Sequence, residues 1–171
     1  SQLLIRQGSM KLTLLIFTQF LITTSFGQSK EYTKMLSEYY NDFPTVTIEE
    51  ASKIHKTNEA IFLDIREENE FNVSHIKYAR RMNPNGSGMK SLKGIDKSTK
   101  IIVYCSIGAR SQSYGEILVR KGYSNVHNMY GGIFHWANSN LPVVDIYNQS
   151  TKNVHGYNAD WGKWLNKNAV Y

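Results

Sequence analysis

Two short segments of this chain, residues 60–65 (AIFLDI) and 101–104 (IIVY), are apolar with no alternation of polar positions. A strand reads this way when both faces of its sheet are covered, as in parallel sheets. Shorter strands are expected at 46–48 (VTI) and 126–129 (VHNM). Between these segments the apolar positions take a helical period. Tyr114, Ile117, Leu118 and Lys121 share one face of a helix over 111–121, with Gly122 as its stop. Gly131-Gly132 opens another helix carrying Ile133, Phe134 and Trp136, ended by Asn140-Leu141-Pro142. Short helices are expected at 28–43, with Tyr32, Met35, Leu36 and Tyr39 at helical spacing, and at 49–55, 66–71 and 89–95. Residues 82–88 (MNPNGSG) read as a loop. Strands alternating with helices predict an α/β fold with a central, mostly parallel sheet flanked by helices.

The two ends differ from this middle. Residues 44–146 make the domain, 28–43 a helical extension before it and 147–171 an aromatic tail. In the tail Trp161, Trp164 and Leu165 fall at i, i+3 and i+4, which predicts one apolar helix face packed back on the domain. Because these aromatics share a face, a nucleic-acid surface built with Lys163 and Lys167 is not expected. At the other end Met10-Lys11 precedes the apolar run 12–24 (LTLLIFTQFLITT), and Ser25 and Gly27 are small. This is the pattern of an export signal cut before Gln28, leading to a periplasmic or secreted protein. The run is shorter than the about 20 residues of a membrane-spanning helix, so no stable span is expected after cleavage. Residues 1–9 precede the plausible initiator and stay outside the fold reading.

Composition changes the picture in two ways. The 171 residues carry 20 basic and 14 acidic side chains, a formal charge of +6 with no run of five like charges, so the basic surface reads as solvated. There is one cysteine, and no disulfide can close within the chain. The five histidines show no ligand spacing, so no metal site is expected; Gly131-Gly132 lacks a phosphate-loop pattern, and no cofactor is expected.

The lone cysteine has a specific setting. Cys105 follows the 101–104 strand directly, and Ser106-Ile107-Gly108-Ala109-Arg110 leads into the next helix. Ligands in open α/β sheets bind outside the carboxyl ends of the strands. Backbone N–H groups of residues 106–110, the positive end of the helix and the Arg110 guanidinium are all placed to stabilise a sulfur anion. Gly108 permits the tight curl. Asp64 and Arg66, at the end of the neighbouring strand, are expected to act structurally, Asp64 binding backbone amides and Arg66 a nearby loop.

The stretch Cys105-Ser106-Ile107-Gly108-Ala109-Arg110-Ser111 resembles the active-site loop of the rhodanese family. Leu63-Asp64-Ile65-Arg66-Glu67, Glu70-Phe71 with Ser74-His75-Ile76, and Tyr130-Gly131-Gly132 through Trp136 with Leu141-Pro142-Val143 resemble further family segments in the same order. The likeness covers roughly residues 46–144. Ser74-His75-Ile76-Lys77-Tyr78-Ala79 departs from it, lacking the family's glycines and proline. The resemblance implies a rhodanese-like three-layer fold and a sulfurtransferase. Cys105 would take a sulfane sulfur from an anionic donor, thiosulfate-like or a persulfide, and pass it to a thiol or cyanide. Ser106, Ile107, Gly108, Ala109 and Arg110 would hold the substrate, and the protein would act as a monomer. A non-turnover sulfur carrier or binding module is the alternative. Related phosphatases use a longer loop; the four residues between Cys105 and Arg110 make a cradle suited to sulfur rather than phosphate.

Overall fold

The computed structural model describes residues 29–85 and 89–171. The amino-terminal segment expected to direct export lies outside the described residues.

The chain begins with α1 (Lys30–Ser37), capped by Ser29 and burying Tyr32 and Leu36. Next come β1 (Thr45–Val46) and α2 (Ile48–Thr57). The expected strand at 46–48 is therefore cut short. Thr47 is an N-cap in a reciprocal capping box with Glu50, and Ile48 becomes the first helical residue. Then follow β2 (Ile61–Asp64), α3 (Glu68–Val73), β3 (Arg80–Arg81) and a single 3-10 turn (Met89–Leu92). The central strand β4 (Ile101–Tyr104) leads to α4 (Ala109–Arg120), β5 (Val126–Met129) and α5 (Gly132–Asn138).

Five strands form one parallel sheet in the order β1-β5-β4-β2-β3. The inner strands β2 and β4 carry nearly continuous apolar sequence because both faces are covered. Along β4, Ile101 and Val103 pack with Tyr114 and Leu118 of α4 on one face. Ile102 and Tyr104 pack with residues of α1, α2 and α5 on the other. The alternation is present in space and invisible in hydropathy, since each side meets an apolar layer. β3 was not expected from the sequence: it is two arginines, drawn into the sheet by pairing with Leu63 and Asp64 rather than by apolar burial.

After α5 the chain forms a hairpin of β6 (Val143–Val144) and β7 (Ser150–Thr151), and then β8 (Asn153–His155), α6 (Ala159–Gly162) and β9 (Asn168–Val170). The tail was expected to be one amphipathic helix. It is instead a single helical turn between two strands that pair in parallel. Asn138 ends the helical course by accepting from the Asn166 N–H at 2.7 Å and donating to the Trp164 carbonyl at 2.7 Å. Trp164 and Leu165 nonetheless pack on the apolar cluster beneath α1 and α5. Among the described residues no helix is long and apolar enough to cross a membrane.

Candidate active site

Cys105 is the first residue after the central strand, at the carboxyl edge of the sheet. Its carbonyl accepts from the Ile133 N–H at 2.9 Å, and that of Ser106 accepts from Phe134 N–H at 3.1 Å. The first turn of α5 thus anchors the loop from outside. A Cβ on Gly132 would overlap the Cys105 carbonyl oxygen, so only glycine allows this approach. The Gly108 N–H turns inward and donates to Cys105 Sγ at 3.2 Å. Gly108 has φ +105°, which serves both as the curl of the loop and as the N-cap of α4. The helix begins at Ala109, two residues earlier than periodicity indicated, so its positive end stands closer to the sulfur.

Two buried side chains and the half-buried Tyr40 hold that curl. The Tyr40 hydroxyl donates to the Ile107 carbonyl at 2.7 Å and accepts from the Gly131 N–H at 2.6 Å. Burial pushes its pKa well above the usual tyrosine range, so it stays protonated and able to donate. Asn128 Nδ2 donates to the Gly108 carbonyl at 2.9 Å, and Ser111 Oγ donates to Asn128 Oδ1 at 2.8 Å. Tyr40 and Asn128 are absent from the sequence expectations. Nothing local to either residue marks it, because each acts on a loop far along the chain.

Arg110 is expected to place a positive charge near the sulfur, and it does interact with Cys105. Its guanidinium also grips Glu70 through two bonds of 2.8 Å, and Nη2 donates to Ser106 Oγ at 2.9 Å. Ser106 Oγ in turn donates to Glu70 Oε1 at 3.1 Å. Burial lowers the Arg110 pKa, but the Glu70 hydrogen bonds and the Cys105 sulfur outweigh it and hold it above the ordinary arginine value. For Glu70 burial raises the pKa, and the bonds and charge of Arg110 reverse this and hold the carboxyl below its usual range. Glu70 and Arg110 both belong to segments that carry the family resemblance, so each had a signal; their pairing did not.

Asp64 and Arg66 form a second buried pair at 2.6 Å, and Arg66 Nη1 reaches the Glu70 carbonyl at 3.4 Å. Arg66 also donates to the Ser74 carbonyl at 2.7 Å, fixing the turn that departs from the family pattern. Both are fully buried and lie away from the pocket, as a structural role requires. Arg80 and Arg81 sit on edge strand β3, where Arg81 approaches Glu68 at 3.5 Å.

Cys105 opens into a pocket of about 190 Å³. Its floor and one wall are Cys105, Ser106, Ile107, Ala109 and Arg110; Gly108 touches the sulfur but does not line the space. The outer rim is Tyr39, Tyr157 and Trp161, from the two ends of the chain. The Tyr39 and Trp161 rings meet edge to face at 5.7 Å, and the Arg110 guanidinium lies 5.2 Å from the Tyr157 ring centre. Among the described residues no group of three or more His, Cys, Asp or Glu is placed to hold a metal ion. A nucleophilic thiol that receives an N–H bond at a helix N-terminus is equipped for covalent chemistry on a small electrophile.

Comparison with known proteins places these features in a family. The rhodanese-like domain profile matches residues 47–139. The chain is similar to the thiosulfate sulfurtransferase GlpE of Actinobacillus succinogenes, at 30% identity over 105 residues, 61% of this chain and 94% of that protein. It is similar to a sulfurtransferase of Allochromatium vinosum, at 30% identity over 94 residues, 55% of this chain and 87% of that one. The rhodanese-like domain of an Anabaena protein shares the fold, with a TM-score of 0.56 at 21% identity, covering 63% of this chain and 83% of that one. The matched segment excludes Tyr39, Tyr157 and Trp161.

Proposed function

The chain belongs to the rhodanese-like domain family and is a rhodanese-type sulfurtransferase, and on that premise we propose that Cys105 carries the transferred sulfur as a persulfide. The observation that carries this reading is the Gly108 N–H donated to Cys105 Sγ at 3.2 Å, at the foot of a pocket and the head of α4. In the first half-reaction Sγ attacks the sulfane sulfur of a donor, either thiosulfate or a persulfide. The new S–S bond forms as the donor's own bond to that sulfur breaks, and the donor leaves with its electron pair. The anionic outer sulfur then faces the positive end of the helix. In the second half-reaction a thiol or cyanide attacks that outer sulfur and releases Cys105. Two such steps through a covalent intermediate give ping-pong kinetics.

Arg110 contributes by fixing the loop through Glu70 and Ser106 and by placing its guanidinium beside the sulfur. The export pattern of residues 10–27 supports a periplasmic or secreted setting, tested by finding Gln28 at the mature amino terminus. The protein acts as a monomer on small molecules, which light scattering checks.

The direct test is intact-mass analysis after incubation with donor. The protein gains the mass of one sulfur on Cys105, and a thiol acceptor removes it. Cys105→Ser gains none. A mass unchanged by thiosulfate and by organic persulfides alike would refute the reading.

A further inference from the structure

The pocket over Cys105 has chemistry that the family segment does not supply. Its rim comes from Tyr39, before the family segment, and Tyr157 and Trp161, after it. The turn that carries Tyr157 is held in place. The Tyr157 N–H donates to His155 Nδ1 at 3.0 Å, and the other ring nitrogen of His155 pairs with the Asn69 side chain of α3 at 3.2 Å. The Gly156 N–H donates to the Val170 carbonyl at 2.8 Å, tying the same turn to β9. Tyr157 has φ +66°, a backbone conformation costly for a bulky aromatic residue. Such strain persists where surrounding structure imposes it.

The polar side chains of the wall are partly engaged with Glu70. Ser106 Oγ donates to Glu70, and both terminal nitrogens of Arg110 are bonded to Glu70. A dianionic donor therefore meets a guanidinium whose charge is largely offset by Glu70, together with backbone N–H groups. The remaining walls are ring and aliphatic carbon from Tyr39, Tyr157, Trp161, Ile107 and Ala109. The volume, about 190 Å³, compares with the roughly 150 Å³ apolar cavity known to take up benzene. It has room for one ring or a branched alkyl body whose sulfur end points down to Cys105.

From this geometry we infer that the sulfur donor is an organic hydropersulfide with an aromatic or branched apolar body, seated between Tyr39, Tyr157 and Trp161. The inference rests on the persulfide reading of Cys105 and narrows it. The step balances without any further reagent. Cys105 thiolate and R–S–SH give Cys105–S–S⁻ and R–SH. One S–S bond forms and one breaks, and the leaving R–S takes the proton with the bond's electron pair. The aromatic rim holds R while the sulfane sulfur reaches Sγ.

The test uses the full chain in single-turnover loading, followed by intact mass. The donors are benzyl hydropersulfide, 2-hydroxyethyl hydropersulfide, thiosulfate and inorganic hydrogen disulfide. Benzyl hydropersulfide is expected to load Cys105 at least about tenfold faster per unit concentration than the hydroxyethyl donor, the scale of discrimination that an apolar pocket supplies, and faster than thiosulfate. Trp161→Ala and Tyr157→Ala each bring the benzyl-to-hydroxyethyl ratio close to one. Tyr157 is exposed, so its variant keeps the test decisive if Trp161→Ala does not fold. Loading with equal rates for the two hydropersulfides, a ratio that survives both substitutions, or faster loading by thiosulfate overturns the inference and leaves the persulfide reading standing. Failure of every donor, hydrogen disulfide included, to add sulfur to Cys105 overturns that reading and this inference together.

Discussion

Replacing Glu70 by Gln keeps the side-chain shape and removes the charge that engages Arg110. The carboxylate is almost completely buried and accepts two Arg110 bonds of 2.8 Å, one from Ser106 Oγ at 3.1 Å and one from the Glu67 N–H at 3.0 Å. In the variant one amide oxygen still accepts, but the amide nitrogen meets a guanidinium N–H, donor against donor. Breaking a buried pair costs about 3–5 kcal/mol. The Arg110 side chain is 31% exposed, so water recovers part of its solvation, and the expected loss is about 2–3 kcal/mol at pH 7. The pH dependence carries the sharper test. The native pKa of Glu70 lies below its unfolded value, because Arg110 overcomes the effect of burial. Its stabilisation is thus fully present above the unfolded pKa, about 4.3, and is lost as pH falls through the lower native value. Protonated Glu matches Gln in charge and shape. Urea unfolding followed by tryptophan fluorescence should therefore give two stability curves separated by a constant amount above about pH 5 and converging below it. A difference under about 0.5 kcal/mol at pH 7, or a gap that stays constant into acid, would refute the assignment of the pair.

Gly108→Ala places a Cβ at φ +105° against the Tyr40 ring and should cost about 2–4 kcal/mol in urea unfolding; an effect below about 1 kcal/mol would mean the loop relaxes freely. Tyr40→Phe strands the Gly131 N–H and the Ile107 carbonyl, with an expected loss of about 2 kcal/mol and slower sulfur loading of Cys105; unchanged stability would count against the brace. Because Tyr157 sits at φ +66°, Tyr157→Gly should be more stable than Tyr157→Ala by about 1 kcal/mol. The opposite order would remove the argument that this backbone is strained. Thr47→Ala should cost about 1 kcal/mol through loss of the capping box, checked by thermal melting.

Much of the fold was legible because it is written locally. The continuous apolar runs of β2 and β4 announce strands covered on both faces, and Gly122 and Asn140 mark helix ends through the left-handed conformations they adopt. Position along β4 also puts Cys105 at the carboxyl edge of a sheet, with glycine three residues on to allow the curl. The errors arise where a local signal had two readings. Thr47 is as good a strand residue as an N-cap, and the capping box with Glu50 decided between them. Trp161, Trp164 and Leu165 have helical spacing, yet pairing of β8 with β9 left room for one turn only.

What the sequence by itself determined is the place of Cys105 at the end of a buried strand and the loop that follows it. These depend on neighbours within a few residues, where hydrophobic period and backbone preference act directly. What only the tertiary structure decided is the character of the site around that cysteine. Arg110 is spoken for by Glu70, 40 residues away, and Tyr40 supports a loop 67 residues away. The rim joins Tyr39 to Trp161 across almost the whole described chain. Such pairings follow from the path of the chain through the fold, and a lone acid, tyrosine or tryptophan has no local spacing that names its distant partner.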